Sequence, residues 1–221
     1  MFTIAIDGPS GSGKSTAAKM TARLLGWKYL DTGAMYRAVA VGCMDSGIED
    51  PESIVDYCEK MDLDISTDPD DQYVRLAGQD ITYEIRSPEV SAWVFRVSTN
   101  PGCRTDLVRR QQEILSQGSF VAEGRDITTV VAPDAQVRIL LTADPEARMS
   151  RRGAELGGKL SEADLHDQIV RRDKDDSTLV NFTVAADGVA TIDSTNLTPQ
   201  EVVDQILILA RRAGIATEDS E

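Results

Sequence analysis

The sequence predicts an α/β fold, a five-stranded parallel sheet with helices on both faces, and three observations carry that reading. Gly8-Pro9-Ser10-Gly11-Ser12-Gly13-Lys14-Ser15 fills the phosphate-loop pattern G-x-x-x-x-G-K-[ST], directly after the apolar run 2–6 and directly before a helical stretch. A second short apolar run follows that helix and completes a β-α-β unit, which the crossover rule makes right-handed and parallel. Further short apolar runs recur at 120–123, 137–141 and 189–192, separated by helical stretches.

In chain order, helical periodicity over 14–25 ends at Gly26, the second strand covers 27–30 up to Asp31, and 34–43 is helical again. From 63 to 81 the pattern changes to short alternating runs, Leu63-Asp64-Ile65 and Tyr73-Val74-Arg75-Leu76, broken by Asp68-Pro69-Asp70-Asp71 and Ala77-Gly78-Gln79. This is a small antiparallel piece inserted into an α/β chain. Helical segments follow at 88–97 and 102–117. Residues 146–176 read as a polar, arginine-rich pair of helices split at Gly157-Gly158, with a capping box from Ser161 to Asp164; a surface flap is expected. Thr198-Pro199-Gln200-Glu201 opens the last helix with a capping box and proline at its first position. In such a sheet ligands bind at the carboxyl ends of the strands, where the phosphate loop, Asp31 and Arg125 all fall.

Composition narrows the partners. The 221 residues carry 23 basic and 37 acidic side chains, net −14, which argues against a nucleic-acid or anionic-lipid surface. Seventeen of the basic residues are arginine, a bias suited to bidentate recognition of phosphate and carboxylate. Cys43, Cys58 and Cys103 form no metal or disulfide pattern and read as buried small hydrophobes. His166, the only histidine, reads as solvated, and the acidic residues at the end of the chain as frayed. No signal sequence or membrane-length apolar stretch is present, so the expectation is a soluble, cytoplasmic monomer without nucleic-acid or membrane partners.

The glycines of the loop let successive backbone N–H groups turn toward phosphate oxygens, while the following helix presents its positive end. Lys14 would reach the outer phosphates of a nucleoside triphosphate and the Ser15 hydroxyl would ligate Mg²⁺, partly through water. A hydroxyl acceptor would need a base, whereas a phosphate acceptor is already mostly dianionic at neutral pH and needs cations instead. Arg37, Arg104, Arg109, Arg110 and Arg125 offer such cations, as do Arg148, Arg151, Arg152, Arg171 and Arg172 around the flap. For Arg109, Arg110 and Arg171 an ordinary pairing with a carboxylate one helical turn away is equally open. Glu123 and Asp126 flank Arg125 at a strand end and read either as strand-end charges or as functional carboxylates, Glu123 as a holder of the metal's waters.

Several stretches together carry a resemblance: 6–16 around the loop, Tyr29-Leu30-Asp31-Thr32-Gly33-Ala34-Met35-Tyr36-Arg37, Glu84-Ile85-Arg86, Glu123-Gly124-Arg125-Asp126, Arg172-Asp173 and Asp176-Ser177. The chain resembles bacterial cytidylate kinase, the CMP/dCMP kinase of the nucleoside monophosphate kinase group, from about Phe2 to the final helix. The resemblance implies a P-loop kinase fold in one domain: a core (1–62, 98–147, 177–221), an NMP-binding insertion (63–97) and a lid (148–176). It implies Mg-ATP as phosphate donor and CMP or dCMP as acceptor. ATP would lie on Gly8, Pro9, Ser10, Gly11, Ser12, Gly13, Lys14, Ser15 and Thr16, with Thr32 beside the acceptor nucleotide. Arg37 and Arg125 would bind the CMP phosphate, Arg104 and Asp126 the cytosine edge, and Arg172 and Asp176 the ribose. Lys14, Arg125, Arg148 and Arg152 would act on the transferring group, the last two from the lid.

One carboxylate and one arginine suffice to read cytosine, whose amino donor lies beside two acceptors; uracil presents an acceptor where Asp126 expects a donor. The chain departs from the family pattern at Leu179, where an arginine is expected, and at Val180-Asn181-Phe182-Thr183, which replace a Pro-Leu element. It departs again at Thr128, usually glycine, and at Ala132, usually aromatic. A P-loop kinase of another small molecule, of the UMP or shikimate type, is the alternative, and the surplus of arginines on the acceptor side counts against a hydroxyl acceptor. The N-K-x-D that a GTPase switch uses for guanine, and the D-x-x-G after its second or third strand, occur nowhere in the chain.

Overall fold

The computed structural model describes residues 1–155 and 184–216. Its strands are β1 (Thr3–Asp7), β2 (Lys28–Asp31), β3 (Leu63–Ile65), β4 (Val74–Leu76), β5 (Gln79–Asp80), β6 (Phe120–Gly124), β7 (Val137–Thr142) and β8 (Ala190–Asp193). The helices are α1 (Lys14–Leu25), α2 (Thr32–Asp45), α3 (Pro51–Lys60), α4 (Pro88–Trp93), α5 (Phe95–Ser98), α6 (Pro101–Leu115), α7 (Pro145–Glu155) and α8 (Pro199–Arg212).

Five strands pair in the order β2-β6-β1-β7-β8, all parallel, and β3-β4-β5 form a separate antiparallel sheet. Side chains alternate across the central sheet, as the two-residue period of a strand requires. Ile4, Ile6, Tyr29 and Val121 pack on one face with α1 and α8; Ala5, Leu30, Phe120 and Ala122 pack on the other with α2, α3 and α6. Both layers are buried, so the central strands read as near-continuous apolar runs.

The elements begin where short polar side chains can satisfy the first helical N–H groups. Asp31 accepts from the Ala34 N–H at 3.0 Å and starts α2, Asn100 starts α6, and Thr198 with Glu201 closes the capping box of α8. Two α-helical stretches differ from the sequence reading. The stretch expected to be helical over 88–97 is two short helices that meet at Val94. Helix α3 was not anticipated, although Asp50 caps it through the Ser53 N–H and Pro51 occupies its first position. Of the flap, α7 is described; Gly157-Gly158, the second helix with its capping box, and His166 lie outside the described residues.

Candidate active site

The carboxyl ends of β1, β2 and β6 lie side by side, Asp7 opposite Gly124 and Asp31 opposite Glu123. Residues from the segments that follow these three strand ends line one cavity of about 410 Å³.

On one side lies the phosphate loop. Ser10, Gly11, Gly13, Lys14, Ser15 and Thr16 line the cavity, and Gly8, Pro9 and Ser12 do not. The Pro9 carbonyl accepts from the Ser12 N–H at 3.3 Å and from Lys14 Nζ at 3.4 Å. Gly11 has a φ of 76° and passes so close to the Arg148 carbonyl that a methyl group there would meet it at 2.5 Å. That tight passage is where α7 is pressed against the loop. Arg148 Nη1 donates to the Ser10 carbonyl at 3.4 Å, and Arg152 reaches the cavity one turn further along α7. Arg151 points the other way, donating to the Ser194 hydroxyl at 2.9 Å and to its carbonyl at 2.6 Å. The buried Ser194 hydroxyl in turn approaches the Ser12 carbonyl at 2.9 Å, so α7, the loop after β8 and the phosphate loop are tied together.

Glu123 closes the floor. Its carboxylate is buried, accepts from Ser15 Oγ at 2.5 Å and from the Tyr29 hydroxyl at 3.0 Å, and lies 3.8 Å from Lys14 Nζ. This carboxylate, at the end of a buried strand, therefore touches both the lysine and the serine of the loop and lines the same cavity. Sequence reasoning left both readings open, because no local signal says which way a strand-end side chain faces.

Across the floor are the cations. Arg37 is buried on α2, and burial together with the neighbouring Arg86 pushes its guanidinium down to about 10, against the pull of Asp31; it therefore stays charged at neutral pH. Its Nε has no hydrogen-bond partner among the described residues. Asp31 accepts from Arg86 at 2.6 Å. Burial opposes its charge, but Arg86 and Arg37 outweigh that and hold its carboxyl at about 2. Arg86, on the turn Glu84–Arg86, thus brings the inserted segment to the site edge. Thr32 lines the cavity and donates to the Glu123 carbonyl at 2.8 Å.

Arg125 and Asp126 also line the cavity, on the turn after β6. Arg104 of α6 donates to Asp126 at 2.5 Å, so the pair expected at the cytosine edge is brought together in the structure. That turn is held from below by Asp7, which accepts from the Ile127 N–H at 2.8 Å, the Thr128 N–H at 2.9 Å and the Thr128 hydroxyl at 2.6 Å. The departure at Thr128 is therefore used: its side chain supplies one more hydrogen bond to a buried carboxylate. Burial pushes Asp7 up, and these three donors oppose the rise.

Arg109 and Arg110 take the plainer of their two readings. Arg109 pairs with Asp106 and Glu113, and Arg110 with Asp106 and the carbonyls of Cys58, Glu59 and Met61. The three cysteines are buried thiols. Arg171, Arg172, Asp176 and Leu179 lie outside the described residues. Among the described residues no three of His, Cys, Asp or Glu gather as a metal site, and no helix is long and apolar enough to cross a membrane.

A family model described as cytidylate kinase matches residues 4–212. The chain belongs to the cytidylate kinase family. A cytidylate kinase of Cutibacterium acnes is 48% identical over 212 residues, covering 94% of this chain and 95% of that protein. One of Caldicellulosiruptor saccharolyticus is 43% identical over 215 residues, with 94% and 95% covered. Among solved structures, a gluconokinase from Sinorhizobium meliloti 1021 superposes with a TM-score of 0.50 at 14% identity, covering 96% of this chain and 94% of that one, a likeness of fold alone. Membership makes the chain an ATP-dependent nucleoside monophosphate kinase, which accounts for a phosphate loop sharing one cavity with a second set of arginines.

Proposed function

We propose that this enzyme transfers the γ-phosphoryl group of Mg-ATP in line to the α-phosphate of CMP or dCMP, giving ADP and CDP or dCDP. The observation that carries the assignment of roles is the buried, charged Arg37 facing the same cavity as Lys14 and Arg125, with the Arg104–Asp126 pair further along. A buried guanidinium with an unpartnered Nε calls for an anion, and a dianionic phosphate meets that need without any catalytic base. Arg37 and Arg125 would hold the acceptor phosphate, while Lys14, Arg148 and Arg152 offset charge on the transferring group. Asp126 would accept from the cytosine amino group and Arg104 would donate to its acceptors, with Thr32 beside the nucleotide. Arg172 and Asp176 are assigned to the ribose by family resemblance.

Mg²⁺ takes oxygen ligands and keeps several waters. Ser15 Oγ and the Glu123 carboxylate, in contact at 2.5 Å beside Lys14, form an oxygen pair of the right kind, so these two residues would hold it directly or through water. When bound it draws charge from the phosphate oxygens of ATP. The segment 63–97 would act as the NMP-binding part and 148–176 as a lid that excludes water on closing. Its position at the end of a chain of ties from α7 to the phosphate loop supports that assignment for the lid base. A coupled assay of ATP turnover against CMP, dCMP, UMP, AMP, GMP and shikimate tests the reading. CMP and dCMP should stand first, and a preference for shikimate or a purine nucleotide would overturn it.

A further inference from the structure

Arg37 makes no ion pair among the described residues, although an oppositely charged side chain lies beside it. Gly33 stands between the two: a Cβ there would sit 3.2 Å from Arg37 Nη1 and 3.2 Å from Asp31 Oδ1. Both side chains are buried, so little water screens their attraction. Both Asp31 oxygens, however, are already taken. Oδ1 accepts from the Ala34 N–H at 3.0 Å, and Oδ2 accepts from Arg86 Nη2 at 2.6 Å.

Arg86 reaches this place from the turn Glu84–Arg86 of the inserted segment, and its side chain is half exposed. Arg37, Asp31 and Arg86 all line the cavity. Their charges sum to a single positive one: Asp31 is offset by Arg86, and the Arg37 charge is left over for an incoming anion. The Arg37 Nε is buried with no hydrogen-bond partner among the described residues, as a group waiting for a ligand would be. Without Arg86, Asp31 would keep its cap on α2 but carry an uncompensated buried charge, which is costly. Arg37 is the cation beside it, and a pair between them would be neutral at the very place where the acceptor phosphate has to bind.

We propose that Arg86 is a positioning residue for the acceptor: by engaging Asp31 it keeps the Arg37 guanidinium unpaired and open to the phosphate of the incoming nucleotide. Arg86 acts through Asp31 and not on the phosphate. The inference rests on the reading of Arg37 as a holder of that phosphate.

Steady-state kinetics with CMP and ATP, for the wild type, Arg86→Met, Asp31→Asn and the double variant, tests it. Asparagine at position 31 keeps an oxygen for the Ala34 N–H and loses the charge. Arg86→Met should raise KM for CMP by about tenfold, the effect of leaving Arg37 open about one tenth of the time, with kcat within about threefold and KM for ATP within about twofold of wild type. Adding Asp31→Asn should bring KM for CMP back to within about threefold of the wild-type value, because the competing charge is gone. An unchanged KM for CMP in Arg86→Met overturns the proposal. An equal rise with and without Asp31→Asn also overturns it, since Arg86 would then touch the phosphate itself or serve the fold alone. Should Arg86→Met fail to fold, Arg86→Gln, which keeps a donor but no charge, carries the same comparison in both backgrounds. A wild type that does not phosphorylate CMP, or an Arg37→Met variant with unchanged KM for CMP, would sink the functional reading itself. A raised KM in Arg37→Met beside an unchanged one in Arg86→Met would sink this inference only.

Discussion

Single side chains at this site are set by opposing burial and charge. Arg125 follows a buried strand and lines the cavity, where the proposed role makes it a donor to the acceptor phosphate. Arg125→Ala is expected to cut kcat/KM for CMP by at least about 100-fold, and unchanged kinetics would take Arg125 out of the site. Asp126→Ala should abolish discrimination between CMP and UMP, read from the same two kcat/KM values. Asp31 gives a pH signature. Its folded carboxyl sits at about 2 against an ordinary 3.8, so the folded state releases a proton that the unfolded chain holds. The stabilisation is present above about pH 4 and is lost as the pH falls from there toward 2, an effect of about 2 kcal/mol at most. Melting temperatures from pH 5 to pH 3 should therefore fall less steeply in Asp31→Asn than in the wild type. Arg86 and Glu123 show the limit of residue-level reading. Each lay inside a quoted motif, but their facing partners, Asp31 and Ser15, lie far away in the chain, and only the fold brings them into register.

Elements were legible where their signals are local. The bounds of α1 match the sequence reading because a glycine pair, Gly13 and Gly26, brackets one apolar stripe. The last helix was read from its capping box, which the structure contains: Thr198→Ala should lower stability by about 1 kcal/mol, or a few degrees in melting temperature, with CMP kinetics unaffected. The π-helical turn Ile127–Val131 could not be read. It is held by Asp7, whose acceptors meet N–H groups 120 and 121 residues away. Gly124 is the last residue of β6 before that turn. A Cβ there would collide with Thr32 Oγ1 and meet the Ile127 side chain at 2.8 Å. Gly124→Ala should therefore push Arg125 and Asp126 out of position together, raising KM for CMP while leaving KM for ATP nearly unchanged; an enzyme with normal CMP affinity would contradict that coupling.

At the scale of the molecule, a chain with a net charge of −14 lines the cavity at one edge of one sheet with Lys14, Arg37, Arg86, Arg104, Arg125 and Arg152. The sheet was legible as a whole because parallel strands buried on both faces must be short apolar runs, and because the phosphate loop fixes which edge is the ligand edge. The relation between that edge and the inserted antiparallel sheet was not, since it depends on Arg86 reaching Asp31 across 55 residues. The claim underlying all of this is that Arg37 and Arg125 let the acceptor phosphate approach ATP while Arg104 and Asp126 select its base. A crystal structure with CMP and a non-hydrolysable ATP analogue tests it most directly. The CMP phosphate should lie between Arg37 and Arg125 with the cytosine amino group on Asp126; a nucleotide bound with its phosphate away from both arginines would contradict it.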